Sequence, residues 1–234
     1  MLTSTLAHPG IRVLDFNRPD KHNALNAELY SELETALREV QADPDSRAVL
    51  LTGSGKSFCA GNDLADFENS WPQPDNGPVF RFLNALYELD VPIIEAVRGA
   101  AIGIGATMLL QCDVVFAAPA AFLRFPFVDL GIVLEGGSSH FLVERIGRPR
   151  AMEILLSGRK VPAVEAAHLG LVSNVVDDPG AMARSFAGEL ARKSADAVRT
   201  TKRLVRQSTR GIFPGRFAEE LQEVNRLLQQ RQSP

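Results

Sequence analysis

Two hydrophobic periodicities alternate along this sequence, and that alternation constrains the fold more than anything else. Short apolar, β-branched runs at residues 11–16, 48–52, 92–97, 113–117 and 172–176 read as strands. Helical spacing fills the intervals. Residues 27–41 put Leu29, Leu33, Leu37 and Val40 on one face behind Asn26, a side chain suited to capping. Residues 78–89 repeat the pattern with Phe82, Leu86 and Leu89, and 103–112, 138–146, 148–156 and 163–169 also carry it. Strands separated by helices can pair in parallel through crossovers, so an α/β fold with much parallel pairing is expected. After Asp178 the strand signal stops, and 181–193, 195–207 and 215–230 read as helices. The expected organisation is an α/β core over residues 1–178 followed by a helical region over 179–234. Residues 69–78, with Pro72, Pro74, Pro78, an Asn76-Gly77 pair and Trp71, read as a loop.

Composition narrows the function class. A chain of 234 residues that is 45% hydrophobic and 23% charged is ordinary for a globular protein. A net charge of −3 gives no general attraction to nucleic acid or anionic membranes, so neither is expected as a partner. Two cysteines, Cys59 and Cys112, imply no disulfide framework and suit a reducing compartment. Residues 1–9 lack the basic and apolar regions of a signal peptide, and no apolar run is long enough to cross a bilayer. The tail Arg231-Gln232-Ser233-Pro234 is not a peroxisomal or retention signal, which leaves the cytoplasm as the expected location. His8, His22 and His168 form no metal-ligand spacing with cysteines or acids, and no metal is expected.

Chemistry concentrates in a set of loops. Arg18-Pro19-Asp20-Lys21-His22-Asn23-Ala24-Leu25-Asn26 joins the first of these strands to the first helix. Further on come Gly53-Ser54-Gly55-Lys56-Ser57-Phe58-Cys59-Ala60-Gly61-Asn62-Asp63-Leu64 and Arg98-Gly99-Ala100-Ala101-Ile102-Gly103-Ile104-Gly105-Ala106. The last runs from Phe125-Pro126-Phe127 through Gly131-Ile132-Val133-Leu134-Glu135-Gly136-Gly137-Ser138-Ser139. Taken singly, glycines of this spacing do no more than permit tight strand–helix turns. In this order they resemble the enoyl-CoA hydratase/isomerase family, also called the crotonase family, over residues 11–205. The resemblance implies a crotonase-like spiral of ββα units, with the helical C-terminal region serving oligomerisation and covering the pocket. It also implies a homo-trimer or hexamer and an acyl-CoA thioester substrate. Coenzyme A is then part of the substrate, and no separate cofactor is expected.

The same resemblance places an oxyanion hole on the backbone N–H groups of Asn62 and Ile104. Two preorganised donors in a dry pocket stabilise the enolate formed when a proton leaves the carbon beside a thioester carbonyl. Gly61 and Gly103 precede them. The family usually carries glycine at the Ile104 position, so isoleucine narrows the pocket here. Lys21, His22, Ala24, Ala60, Gly61, Asp63 and Leu64 would line the coenzyme A path, with Gly103 and Phe127 near the acyl group. Lys21 and Arg18 are candidates to meet phosphates, or simply solvated turn charges.

The family's hydratases hold one water between two glutamates, whose positions fall here on Thr107 and Phe127. Neither residue can act as a carboxylate base. Glu135 lies where the resemblance to Δ3,Δ2-enoyl-CoA isomerases puts a single catalytic glutamate. That chemistry needs one acid: it takes a proton from C2, and the same group returns it at C4. Ile132, Val133 and Leu134 make an apolar surrounding that raises such a carboxyl toward neutrality. On position alone, Glu135 also reads as an acid favoured by the dipole of the helix starting near Ser138. The expected function is a Δ3,Δ2-enoyl-CoA isomerase. Enoyl-CoA hydratase or another crotonase-type lyase is the first alternative, and a non-catalytic acyl-CoA-binding protein the second.

Overall fold

The computed structural model describes residues 1–66, 71–74 and 76–232, with Gln232 by its backbone only. Asn69, Ser70 and Asp75 of the expected loop lie outside the described residues. A six-stranded sheet runs in the order β1-β2-β3-β4-β6-β9. Strand β1 (Leu2–His8) pairs antiparallel with β2 (Ile11–Phe16). Then β3 (Ala48–Gly53), β4 (Ile93–Val97), β6 (Val114–Ala117) and β9 (Asn174–Val175) continue in parallel. All residues of β4 are buried, as a central parallel strand covered on both faces requires.

A second, three-stranded sheet holds β5 (Ala100–Ile102), β7 (Phe122–Arg124) and β8 (Lys160–Pro162). The chain passes from β4 to β5 through Gly99, which has φ +64° and sits so close to the Lys56 carbonyl that no side chain fits. Bridges from Leu25 to Asn62 and from Cys59 to Ala101 extend the same strand layer. A strand of the large sheet, a sharp turn, a short strand of the small layer and a helix thus recur as a unit. The first turn of α3 (Ile104–Thr107) follows β5 directly. This is the ββα spiral. Residues 108–111, expected to continue that helix, tighten into a 3-10 turn.

Helices cover both faces of the large sheet. On one side α1 (Ala27–Ala42) buries Leu29, Leu33, Leu37 and Val40 as the periodicity predicts, and it packs on α2 (Pro78–Glu88). Each such leucine contributes about 2 kcal/mol by leaving water. Asn26 caps α1, its Oδ1 accepting from the Leu29 N–H at 3.0 Å. Beyond the small sheet lie α4 (Ser138–Ile146), α5 (Arg148–Ser157) and α6 (Ala163–His168). On the other face α7 (Pro179–Ala191) sets Ala183 and Ala187 against Ile11, Leu50, Ile94 and Phe116. Helices α8 (Ala195–Arg206) and α9 (Phe213–Gln232) complete the chain. No helix among the described residues is long and apolar enough to cross a membrane.

One core residue breaks the apolar pattern. Glu95, in β4, is fully buried, and neither carboxylate oxygen has a hydrogen-bond partner among the described residues. Burial pushes its carboxyl up to about 8, with Cys112 and Arg145 pulling the other way. The folded chain therefore holds a proton there that the unfolded chain releases above the ordinary glutamate range. Stability is lost as pH climbs from that range toward 8. Glu95→Gln should raise stability on the order of 2 kcal/mol more at pH 8 than at pH 5, measured by thermal melts at both values.

Candidate active site

The site grows from the place where two loops touch. Gly61 has φ +98° and Gly103 φ +56°. A Cβ built on Gly61 would lie 3.1 Å from the Ile102 carbonyl oxygen, and one built on Gly103 would lie 3.8 Å from the Gly61 Cα. The Cys59–Ala101 bridge holds the two loops together, with the Ile102 N–H donating to the Cys59 carbonyl at 2.9 Å. Asn62 and Ile104 follow these glycines directly. Ile104 opens α3, so its N–H belongs to the unpaired first turn of a helix. Among the described residues, neither N–H has an acceptor. Tyr30 Oη donates to Asn62 Oδ1 at 2.5 Å and so fixes the side chain of the first donor residue. Tyr30 is buried on α1, and nothing in its local sequence separates it from an ordinary core aromatic.

Both donor residues face one cavity of about 520 Å³. Its wall includes Ala60, Gly61, Leu64, Gly103, Phe127 and Glu135, so the structure brings together most of the residues singled out in the sequence. Trp71 and, from α9, Val224, Leu228 and Arg231 complete it. The aliphatic residues and Phe127 make this interior mainly apolar. Glu135 is 5% exposed, and its Oε1 has no partner among the described residues. Burial, reinforced by the nearby Glu220 carboxylate, raises its carboxyl to about 8. Asp129, the other acid on the wall, is held by Arg124 at 3.0 Å and is half exposed. Thr107 is buried behind Gly136, with its hydroxyl directed to the Ile104 carbonyl.

The loop of residues 18–26 meets this site from outside. The His22 carbonyl accepts from the Ala60 N–H at 3.0 Å. Asn23, with φ +58°, staples the loop down by donating to the Ser54 and Ser57 carbonyls, both at 2.8 Å. Lys21 and His22 are exposed beside it. Other residues at this end are engaged within the protein. Arg18 is not available to a phosphate: it donates to the Ala24 carbonyl and forms an ion pair with Asp63 at 2.8 Å. That pair holds the Asp63 carboxyl below its usual range and occupies its side chain outside the large cavity. Ala24 is buried, with its carbonyl taken. The cause is plain: folding sets the Arg18 turn against the loop that carries Asp63, and the two opposite charges pair there.

The acid at the start of α4 is also not the one expected from position. Glu135 offers its backbone carbonyl to Ser138. The carboxylate that receives the helix N-terminal N–H groups is Glu220 of α9, at 2.7 Å from Gly137 N and 2.9 Å from Ser139 N. One signal could have found it. Phe213, Phe217, Leu221, Val224 and Leu228 form the buried stripe of α9, and Glu220 is a buried acid beside it.

Comparison with known proteins agrees with this geometry. The family model described as enoyl-CoA hydratase/isomerase matches residues 7–233. A Mycobacterium leprae protein named "Probable enoyl-CoA hydratase" is 34% identical over 93% of this chain and 84% of its own length. The 1,2-epoxyphenylacetyl-CoA isomerase of Escherichia coli is 39% identical over 76% of this chain and 71% of its own. The crystal structure of an enoyl-CoA hydratase/isomerase from Pseudoalteromonas atlantica superposes with a TM-score of 0.93 at 38% identity, covering 97% of this chain and 91% of that one. With a strand spiral that apposes two glycine loops beside a buried glutamate, and with relatives matched along nearly its whole length, this chain belongs to the enoyl-CoA hydratase/isomerase family, the enzymes of the crotonase fold.

Proposed function

We propose that the protein is a Δ3,Δ2-enoyl-CoA isomerase in which Glu135 alone carries the proton. The observation that supports this reading is that Glu135 is the buried, unpaired carboxylate of the cavity wall, while Thr107 and Phe127 leave no second base beside it. The Glu135 carboxylate takes a proton from C2 of a 3-enoyl thioester. Charge moves onto the thioester oxygen, where the Asn62 and Ile104 N–H groups receive it. The resulting dienolate is reprotonated at C4 by the same acid, giving the 2-enoyl product. The apolar wall keeps water from the intermediate and holds the carboxyl near neutrality, where one group serves as base and then acid. Exposed Lys21 and His22, on the loop that meets the cavity from outside, would contact the phosphates and adenine of coenzyme A. A homo-trimer or hexamer is part of the same proposal.

A second reading has its own support. Trp71 and Phe127 give the cavity an aromatic wall, and the relative from Escherichia coli is named for an aryl epoxide thioester. Hydration has less support, because it needs an acid on each side of a water and Glu220 has both oxygens engaged.

Glu135→Gln should lower conversion of trans-3-hexenoyl-CoA by about 10³-fold or more and leave coenzyme A binding intact. Product identification across 3-enoyl, 2-enoyl and 1,2-epoxyphenylacetyl thioesters decides among the readings. Retained 3-enoyl turnover in the variant removes Glu135 from the mechanism. The wild-type pH profile carries a sign. The starting base must be ionised and its carboxyl is raised to about 8, so kcat/KM should climb with pH and level off above that value. Tyr30→Phe, which releases the Asn62 side chain, should reduce kcat about tenfold with KM little changed, measured by steady-state kinetics.

A further inference from the structure

Glu135 sits on an unusual support. The next two residues are Gly136 at φ +73° and Gly137 at φ +75°, a pair with more conformational freedom than any other sequence would allow. A catalytic carboxyl on such a hinge needs outside restraint. Three side chains supply it. Gln111 Nε2 donates to the Gly136 carbonyl at 2.9 Å, Ser138 Oγ donates to the Glu135 carbonyl at 2.6 Å, and Glu220 accepts from Gly137 N and Ser139 N. Helix α4 has no cap from its own N-terminal side chains, because its N-cap residue is Gly137. Glu220 provides that cap from more than eighty residues away.

We infer that Glu220 is a positioning residue for Glu135: it locks the two-glycine segment that carries Glu135 and brings a second carboxyl near it. Resting on Glu135 as the proton carrier, the inference adds a regulator of that proton supplied by α9. Charge-assisted bonds to two N–H groups at a helix N-terminus favour the ionised form of Glu220. Burial is the larger influence and raises the Glu220 carboxyl above its usual range, while these bonds and Arg216 one turn earlier on α9 act against that rise. The other groups facing Glu135 are Tyr30 of α1 and Cys59 of the first oxyanion loop, both buried and both held protonated by burial. They carry no charge near neutral pH, so Glu220 is the anion that disfavours ionisation of Glu135.

The experiment compares wild type, Glu220→Gln and Glu220→Asp. Protonation of Glu135 is read directly, from the carboxylic-acid band in infrared difference spectra against the matching Glu135→Gln protein between pH 5 and 10. Glu220→Gln should move the Glu135 midpoint down by about half a pH unit or more, and the limb of the kcat/KM profile for trans-3-hexenoyl-CoA should move with it. Glu220→Asp keeps the charge but shortens the reach, so its midpoint should stay near that of wild type while kcat falls about tenfold. If Glu220→Gln does not fold, Glu220→Asp decides: wild-type kcat in that variant overturns the inference. An unmoved infrared midpoint in a folded Glu220→Gln protein also overturns it. A shifted midpoint in a protein that turns over no 3-enoyl thioester would instead sink the isomerase reading and leave the pairing of the two glutamates standing.

Discussion

Everything in the site depends on the contact between the backbones of Gly61 and Gly103. A methyl group on either residue would face the opposite loop, and both hold a left-handed backbone that other residues adopt at a cost. The fold is arranged to deliver this contact. A strand of the large sheet brings each loop to the same end, a sharp turn redirects it into the small layer, and the Cys59–Ala101 bridge sets the register. The residues that follow, Asn62 and Ile104, line an apolar cavity, and their N–H groups have no acceptor among the described residues. Such unpaired donors are costly in a resting protein, and under the proposed reaction they would be valuable to a developing oxyanion.

Much of this was legible in the sequence, and the illegible parts have definite causes. The parallel strands β2, β3, β4 and β6 are short apolar runs with nothing in competition, and α1 shows its buried face and its cap together. The strands that escaped notice are of two kinds. β5, β7 and β8 are three residues each, too short for a period-two pattern to register. β1 is exposed along almost its whole length, so it carries no apolar alternation at all. The ββα repeat is likewise invisible in residue identity, because it is a repeat of geometry: Leu25, Cys59 and Ala101 occupy the small strand layer without resembling one another.

For the site, glycines and Glu135 could be read because local sequence restricts what they can do. Side chains whose role depends on distant partners could not. Arg18 and Asp63 looked like ligand contacts until folding placed them against each other across forty-five residues. Glu220 and Tyr30 reach the Gly137–Ser139 backbone and Asn62 from elements whose sequence signals concern only their own packing. The buried acids sharpen the point. Glu95 and Glu135 share the same desolvation and nearly the same raised proton affinity, yet only one faces the cavity. Perturbation of a carboxyl reports burial, and function is added by what lies in front of it.

Helix α9 divides its labour along its length. Its early turns hold the segment that bears Glu135, while its later turns, through Val224, Leu228 and Arg231, line the cavity. On the proposed reading, substrate shape and reaction chemistry are thereby written on separate stretches of one helix. Variation at the distal stretch can recut the acyl compartment while the proximal anchor stays fixed, which gives this scaffold an evolutionary dial for substrate choice that leaves its acid undisturbed.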